Sequence, residues 1–200
     1  MWKTALSLII SAIVISFCSY YFGDPLSVEQ YGTLTFLVIT MIVVAIFCFI
    51  ISEITHNCSQ VDKLWSILPV FYTFIVFYNS HWNVRVGIMF FLVLIWGIRL
   101  SYNFSRRGGY HLVPWKGEED YRWSVLRQKP GLNTVWGWRF FNFFFISLYQ
   151  NGLILFLTLP ILVAWQGTKP LYYIDFLIGL AVVAFIILEA VADQQQYIFQ

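Results

Sequence analysis

Charge is scarce in this chain. Acidic and basic residues make up 11% of it, against roughly 25% in a soluble domain. Too little charge is present to clothe a water-soluble surface. Cysteine is scarce as well. Cys18, Cys48 and Cys58 form an odd set with no close spacing, which excludes a disulfide framework and a zinc site. Three dispersed histidines, His56, His81 and His111, add no metal-ligand spacing, so no metal site is predicted. The chain has no GxGxxG, P-loop or GxSxG motif. It has no internal repeat and no low-complexity tract, and nothing in it points to nucleic acid. What is abundant is apolar and aromatic: 60% of residues are hydrophobic, with 20 Phe, 12 Tyr and 9 Trp. This is the composition of an integral membrane protein.

A spanning helix needs about 20 mostly apolar residues. Six stretches qualify or nearly so: 4–22, 34–54, 64–78, 84–102, 140–165 and 171–192. The first is read as a retained helix, because bulky residues follow it where a signal-peptide cleavage site needs small ones. The third is short and holds Pro69, which predicts a kink or tilt. The fourth carries Arg85 and Arg99 towards its two ends, placed to snorkel to opposite surfaces. Continuous apolar runs rather than alternation exclude a barrel. The expected architecture is all-α: a single-domain, polytopic membrane helical bundle over residues 1–200. It has about six transmembrane helices and a long cytoplasmic loop, 104–139, between the fourth and fifth.

Six helices put both termini on one side. Lys3, Lys63, Arg106, Arg107, Lys116, Arg122, Arg127, Lys129 and Arg139 fall on that side, and Arg85 and Lys169 on the other. The positive-inside rule then makes both termini and the loop cytoplasmic. Asn57 and Asn103 match the glycosylation pattern and are predicted to be unmodified. The loop's Trp and Tyr, set beside Arg and Lys, suit the headgroup layer, so part of it is expected to form a short surface helix.

Several residue groups invite a chemical reading. Glu189 and Asp193 lie four apart at the end of the last apolar run, on one helix face. Acids there are costly unless they bind something or find partners. With Gln194 to Gln196 they form a dense polar cluster, which suits either a bound polar ligand or plain solvation. Arg106 and Arg107, before Gly108-Gly109-Tyr110, suit either a phosphate held by two guanidiniums or an ordinary stop-transfer turn. Glu118, Glu119 and Asp120 before Arg122 read first as a solvated turn. Asp62 reads first as a cap at the start of the third helix; a catalytic role would require burial and a raised pKa. Gln150 and Asn151, deep in the fifth run, suit interhelical hydrogen bonds or substrate contact equally.

The ordered series Val61-Asp62-Lys63-Leu64-Trp65, Trp96-Gly97-Ile98-Arg99-Leu100-Ser101, Arg106/Arg107, Glu119-Asp120-Tyr121-Arg122, Gln150 with Pro160, and Glu189-Ala190-Val191-Ala192-Asp193-Gln194 resembles the steroid 5-alpha-reductase-like membrane proteins. Within them it looks like the branch long catalogued as a domain of unknown function. The likeness runs from about residue 60 to the end. It implies an NADPH-dependent reductase of a carbon–carbon double bond conjugated to a carbonyl, in a steroid-like or other lipid. It further implies that Asp193, with Glu189 and Gln194 beside it, contacts the cofactor. Arg107 and Tyr110 match a loop that encloses the cofactor, and Gln150 and Asn151 are assigned to substrate. The family's Ser-Arg-His-Pro-Asn-Tyr segment does not occur before Gln200, which predicts that these residues are the N-terminal part of a longer domain. The family's carbonyl-polarising Glu and Tyr have no clear match here, and Asp62 is the remaining catalytic candidate. Two alternatives stand beside this reading. One is an S-adenosylmethionine-dependent lipid or isoprenylcysteine methyltransferase-like protein. The other is a non-enzymatic membrane protein.

Overall fold

The computed structural model describes residues 23–111, 113 and 119–199, together with 7, 10, 11, 13–15, 17, 18 and 21. The first expected span, 4–22, lies largely outside the described residues; those of its positions that are described are helical. Every described element is helical.

Helix α1 (Val28–Thr55) opens at Ser27. The Ser27 hydroxyl accepts from the Gln30 backbone at 3.2 Å, and the Gln30 side chain accepts from the Ser27 backbone at 2.8 Å. This reciprocal cap satisfies two amides that the helix itself cannot. The helix therefore begins six residues before the apolar run that predicted it. It ends at His56, which takes a left-handed conformation at φ 54°. A single 3-10 turn, Asp62–Leu64, follows. Helix α2 (Leu68–Asn79) starts with Pro69 in its first turn, where a missing N–H costs nothing. Its 12 residues reach about 18 Å, short of a roughly 30 Å hydrocarbon core. The expected span 64–78 is therefore a short apolar helix entered through the turn at 62–67, and Pro69 starts it rather than kinking it.

Helix α3 (Val84–Arg106) is capped by Asn83, whose side chain accepts from the amides of Arg85 and Val86. Two short helices stand in the expected loop: α4 (Tyr121–Arg127), capped by Asp120, and α5 (Val135–Phe141), capped by Thr134. Helix α5 runs on through a π-helical stretch, Asn142–Tyr149, into α6 (Gln150–Ala164). Together they make one apolar element from Val135 to Ala164. Helix α7 (Tyr173–Phe199) is the last. Among the described residues, four helices are long and apolar enough to cross a membrane: α1, α3, α5–α6 and α7.

Contacts between helix ends fix the directions. Gln30 near the start of α1 donates to the Leu162 carbonyl near the end of α6, at 2.9 Å. Asn79 at the end of α2 donates to Thr33 of α1, at 3.0 Å. At the opposite end, Arg139 pairs with Glu53 at 2.8 Å and Asn142 donates to Ser52 at 2.7 Å. Consecutive long elements thus alternate in direction, as short connections require. The core, around Leu37, Tyr72, Val76, Val86, Ile146 and Ile154, lies among α1, α2, α3 and α6. Helix α7 packs on α3 and buries only Ile186.

Candidate functional site

The end of the bundle that carries Asp62, Arg107 and the C-terminus of α7 holds a cleft of about 1250 Å³. Its walls come from the turn before α2 (Ser59, Asp62, Trp65), the end of α3 (Phe104, Arg107, Gly109), and α4 with its approach (Glu119 to Trp123). The π-helical stretch and α6 add Phe145, Gln150 and Leu153, and α7 adds Tyr197.

A folded loop makes the outer wall. Glu119 accepts from the Cys58 amide at 2.8 Å and pairs with Arg127 at 3.0 Å. The Asp120 amide donates to Ser59 at 2.9 Å, and the Asp120 carboxylate chelates Arg122. Hydrogen bonds from the Arg122 guanidinium and from the Arg122 backbone amide, with the Arg122 charge, hold the Asp120 carboxyl below the usual range. Arg127 also lies over the Trp138 ring, at 4.6 Å. These acids are therefore tied down, where a solvated turn was expected; Glu118 lies outside the described residues. Burial pushes the Cys58 thiol up to about 11, with Arg127 opposing. A thiol so protonated is a packing group rather than a nucleophile.

Asp62 does not cap the helix that follows. The turn there has no side-chain cap, and Asp62 Oδ2 instead accepts from Trp123 Nε1 at 3.4 Å. Burial raises its pKa, against hydrogen bonds from Ser59 and Trp123 and the charge of Arg122. Asp62 is thus a partly buried carboxyl with a raised pKa on the cleft wall. Across the cleft, Gln150 Oε1 accepts from Trp65 Nε1 at 3.3 Å. Tyr110 lies behind this wall, hydrogen-bonded to the Lys63 carbonyl and to Ser66, each at 2.9 Å. Asn151 is turned away. It is fully buried, donates to the Ser147 carbonyl at 2.7 Å and meets the Cys48 thiol of α1. Of the adjacent amides, Gln150 faces the cleft and Asn151 packs the bundle.

The polar cluster on α7 meets the arginines of α3. Arg99 pairs with Glu189 at 2.8 Å and also with Asp193. Arg106 donates to Gln194 and to the Asp193 carbonyl, and lies 4.3 Å over the Tyr197 ring. Arg107 donates to Gln196 at 2.8 Å. At the far end Arg85 pairs with Asp175 at 3.3 Å. Arg107 and Asp193 therefore share one end of the bundle. Glu189, Asp193 and Gln194 are not cleft-lining; the cleft reaches α7 one turn later, at Tyr197. Sequence reasoning missed Arg99 as their partner. The available signal was that an arginine at a membrane helix needs a counter-charge, and the last apolar run carries two acids. Trp123 and Tyr197 were missed because aromatic residues are too common here to stand out.

The fold is a helical bundle, with four described helices long and apolar enough to cross a membrane and, at one end, a cleft lined by aromatic, apolar and charged residues. Residues 48–200 match the family described as "Protein of unknown function (DUF1295)", and the chain belongs to that family. An uncharacterized protein of Schizosaccharomyces pombe is 37% identical over 153 residues, covering 74% of this chain and 42% of the relative. The chain thus spans less than half the length of the curated relative it matches. No solved structure matches.

Proposed function

We propose that the cleft is the cofactor and substrate site of a membrane-embedded NADPH-dependent reductase acting on a double bond conjugated to a carbonyl in a lipid. The observation that carries this reading is Asp62. It is a carboxylic acid with a raised pKa on the wall of a cleft that also holds an arginine. The cleft exceeds the roughly 300–1,000 Å³ of common ligand sites, which suits a dinucleotide together with a second molecule. Arg107 has Gln196 as its partner and pairs with no carboxylate among the described residues, so it can take a phosphate bidentately. The ring faces of Trp65 and Tyr121 supply stacking surfaces.

NADPH, when bound, supplies a hydride to the β carbon. The chain's own residues do the rest. Asp62, its pKa raised by burial and its Oδ2 accepting from Trp123, is the acid placed to donate a proton to the carbonyl oxygen, where negative charge develops. Trp65, fixed by Gln150, closes the inner wall against water. Glu189 and Asp193, both paired with Arg99, hold α7 so that Tyr197 and Arg107 stand at the rim. The reading includes six spans, with both termini and the cleft facing the cytoplasm, in line with the arginine and lysine bias.

The test is titration of the purified chain, and of the longer S. pombe relative, with NADPH and with S-adenosylmethionine. NADPH binding is expected, with consumption followed by absorbance when an enone-bearing lipid is added. Arg107→Ala is expected to weaken NADPH binding about tenfold. Binding of S-adenosylmethionine without NADPH would replace the reductase by a methyltransferase. Binding of neither by either protein would leave the non-enzymatic reading.

A further inference from the structure

Trp65 faces two cavities. On its other side lies a crevice of about 240 Å³ between α2, α3 and α6, lined by Pro69, Thr73, Met89, Val93, Leu157 and Thr158 among others. Its residues sit along the first half and centre of α3 and in the last third of α5–α6, two of the elements long and apolar enough to cross a membrane. Its two threonines offer no polar contact. The Thr73 hydroxyl donates to the Pro69 carbonyl and the Thr158 hydroxyl to the Leu155 carbonyl, each within its own helix. Leu157 and Pro160, at its edge, are exposed towards the surface that lipid would cover. The crevice is therefore apolar, open at the membrane face, and separated from the polar cleft by one indole.

We propose that this crevice holds the apolar chain of the substrate, entering sideways from the bilayer, while the reacting polar end passes Trp65 into the cleft. This rests on the reductase reading for the polar end only. Volume selects the class of lipid. A cavity of about 150 Å³ accommodates benzene, so 240 Å³ accommodates on the order of ten carbons. A linear or isoprenoid chain fits that space; a fused four-ring steroid nucleus overfills it. The Trp65–Gln150 hydrogen bond marks the boundary between the chain and the reacting group.

The experiment is photo-crosslinking of the whole chain in lipid nanodiscs. One probe is a 16-carbon fatty acid with a diazirine near its methyl end, and the other is a diazirine-bearing steroid. The fatty acid is expected to label Met89, Val93 and Leu157, as mapped by peptide mass spectrometry. Leu157→Trp and Val93→Trp, which bring bulk to the mouth, are each expected to lower that labelling about fivefold. Leu157→Ala should retain it, and all three should elute as the native protein does. NADPH titration runs in parallel, so labelling without NADPH binding counts against the reductase and not against the tail site. Label spread evenly over lipid-facing residues such as Phe91 and Phe185, unchanged by either tryptophan, would overturn the proposal. Preferential labelling by the steroid would overturn it equally.

Discussion

Asp62 behaves unlike an ordinary surface carboxylate because ionising it means charging a half-buried group. Its raised pKa fixes the sign of the linkage. The folded state favours the protonated form, so the stability it contributes is greatest in acid and is lost as pH rises through the folded pKa. Asp62→Asn keeps the shape without the charge. The variant is expected to melt higher than the parent at pH 7, with the gap closing towards pH 4, as read by thermal unfolding in detergent. Its reductase activity should fall all the same. Arg99 is the opposite case. Its guanidinium is largely buried between Glu189 and Asp193. Arg99→Ala leaves two acids without a counter-charge and is expected to cost about 2 kcal/mol, between the values for exposed and fully buried pairs because Glu189 is half exposed. Thermal unfolding measures this too. Little of this pairing could be read from sequence. Glu189 and Asp193 announced themselves as acids needing a partner, but the partner lies some 90 positions away on a different helix, and only packing brings it near.

Long helices were easier to read than their ends. Apolar runs located α1, α3, α5–α6 and α7, because hydrocarbon demands continuous hydrophobicity. The ends were set by polar caps outside those runs: Ser27 with Gln30, Asn83, and Thr134. That is why α1 and α5–α6 begin several residues early. The expected loop 104–139 holds two short helices for a related reason. Its Asp120 and Thr134 nucleate helices, and Glu119 and Arg127 bind it to residues 56–59. Small residues then decide how closely elements approach. A methyl group on Gly97 would lie 2.8 Å from the Ser66 carbonyl oxygen and 2.5 Å from a Val70 methyl. The carbonyl is backbone and cannot swing aside. Gly97→Ala is expected to destabilise the α2–α3 contact by about 1–3 kcal/mol, detectable as a lower melting temperature. The turn that carries Asp62 and Trp65 runs straight into α2, so the same variant should disturb the cleft.

At the scale of the molecule the charges sort by end. Arg106, Arg107, Arg122, Arg127 and Arg139 gather with the cleft, while Arg85 stands at the other end with Asp175. Sequence made the sorting visible, since sidedness needs only helix order and not side-chain positions. The cleft was less visible, because it draws on five separate stretches whose members are individually ordinary. Single cysteines introduced at Tyr121 and Gln196 in a Cys-free background should react with an impermeant maleimide from one face of sealed vesicles. Cysteines at Trp82 and Thr168 should react from the opposite face. Labelling of Tyr121 and Gln196 from different faces would dismantle the shared pocket.

Among the described helices α7 packs chiefly on α3, and its acids are balanced by α3's arginines at both ends. During synthesis α3 emerges first, so Arg99 faces the bilayer or the insertion machinery uncompensated until α7 arrives. An unpaired charge costs about 2.5–3.5 kcal/mol at the centre of a membrane helix and less towards its ends, where these charges lie. Each helix therefore partly neutralises the other's entry, and the two are partners in biogenesis.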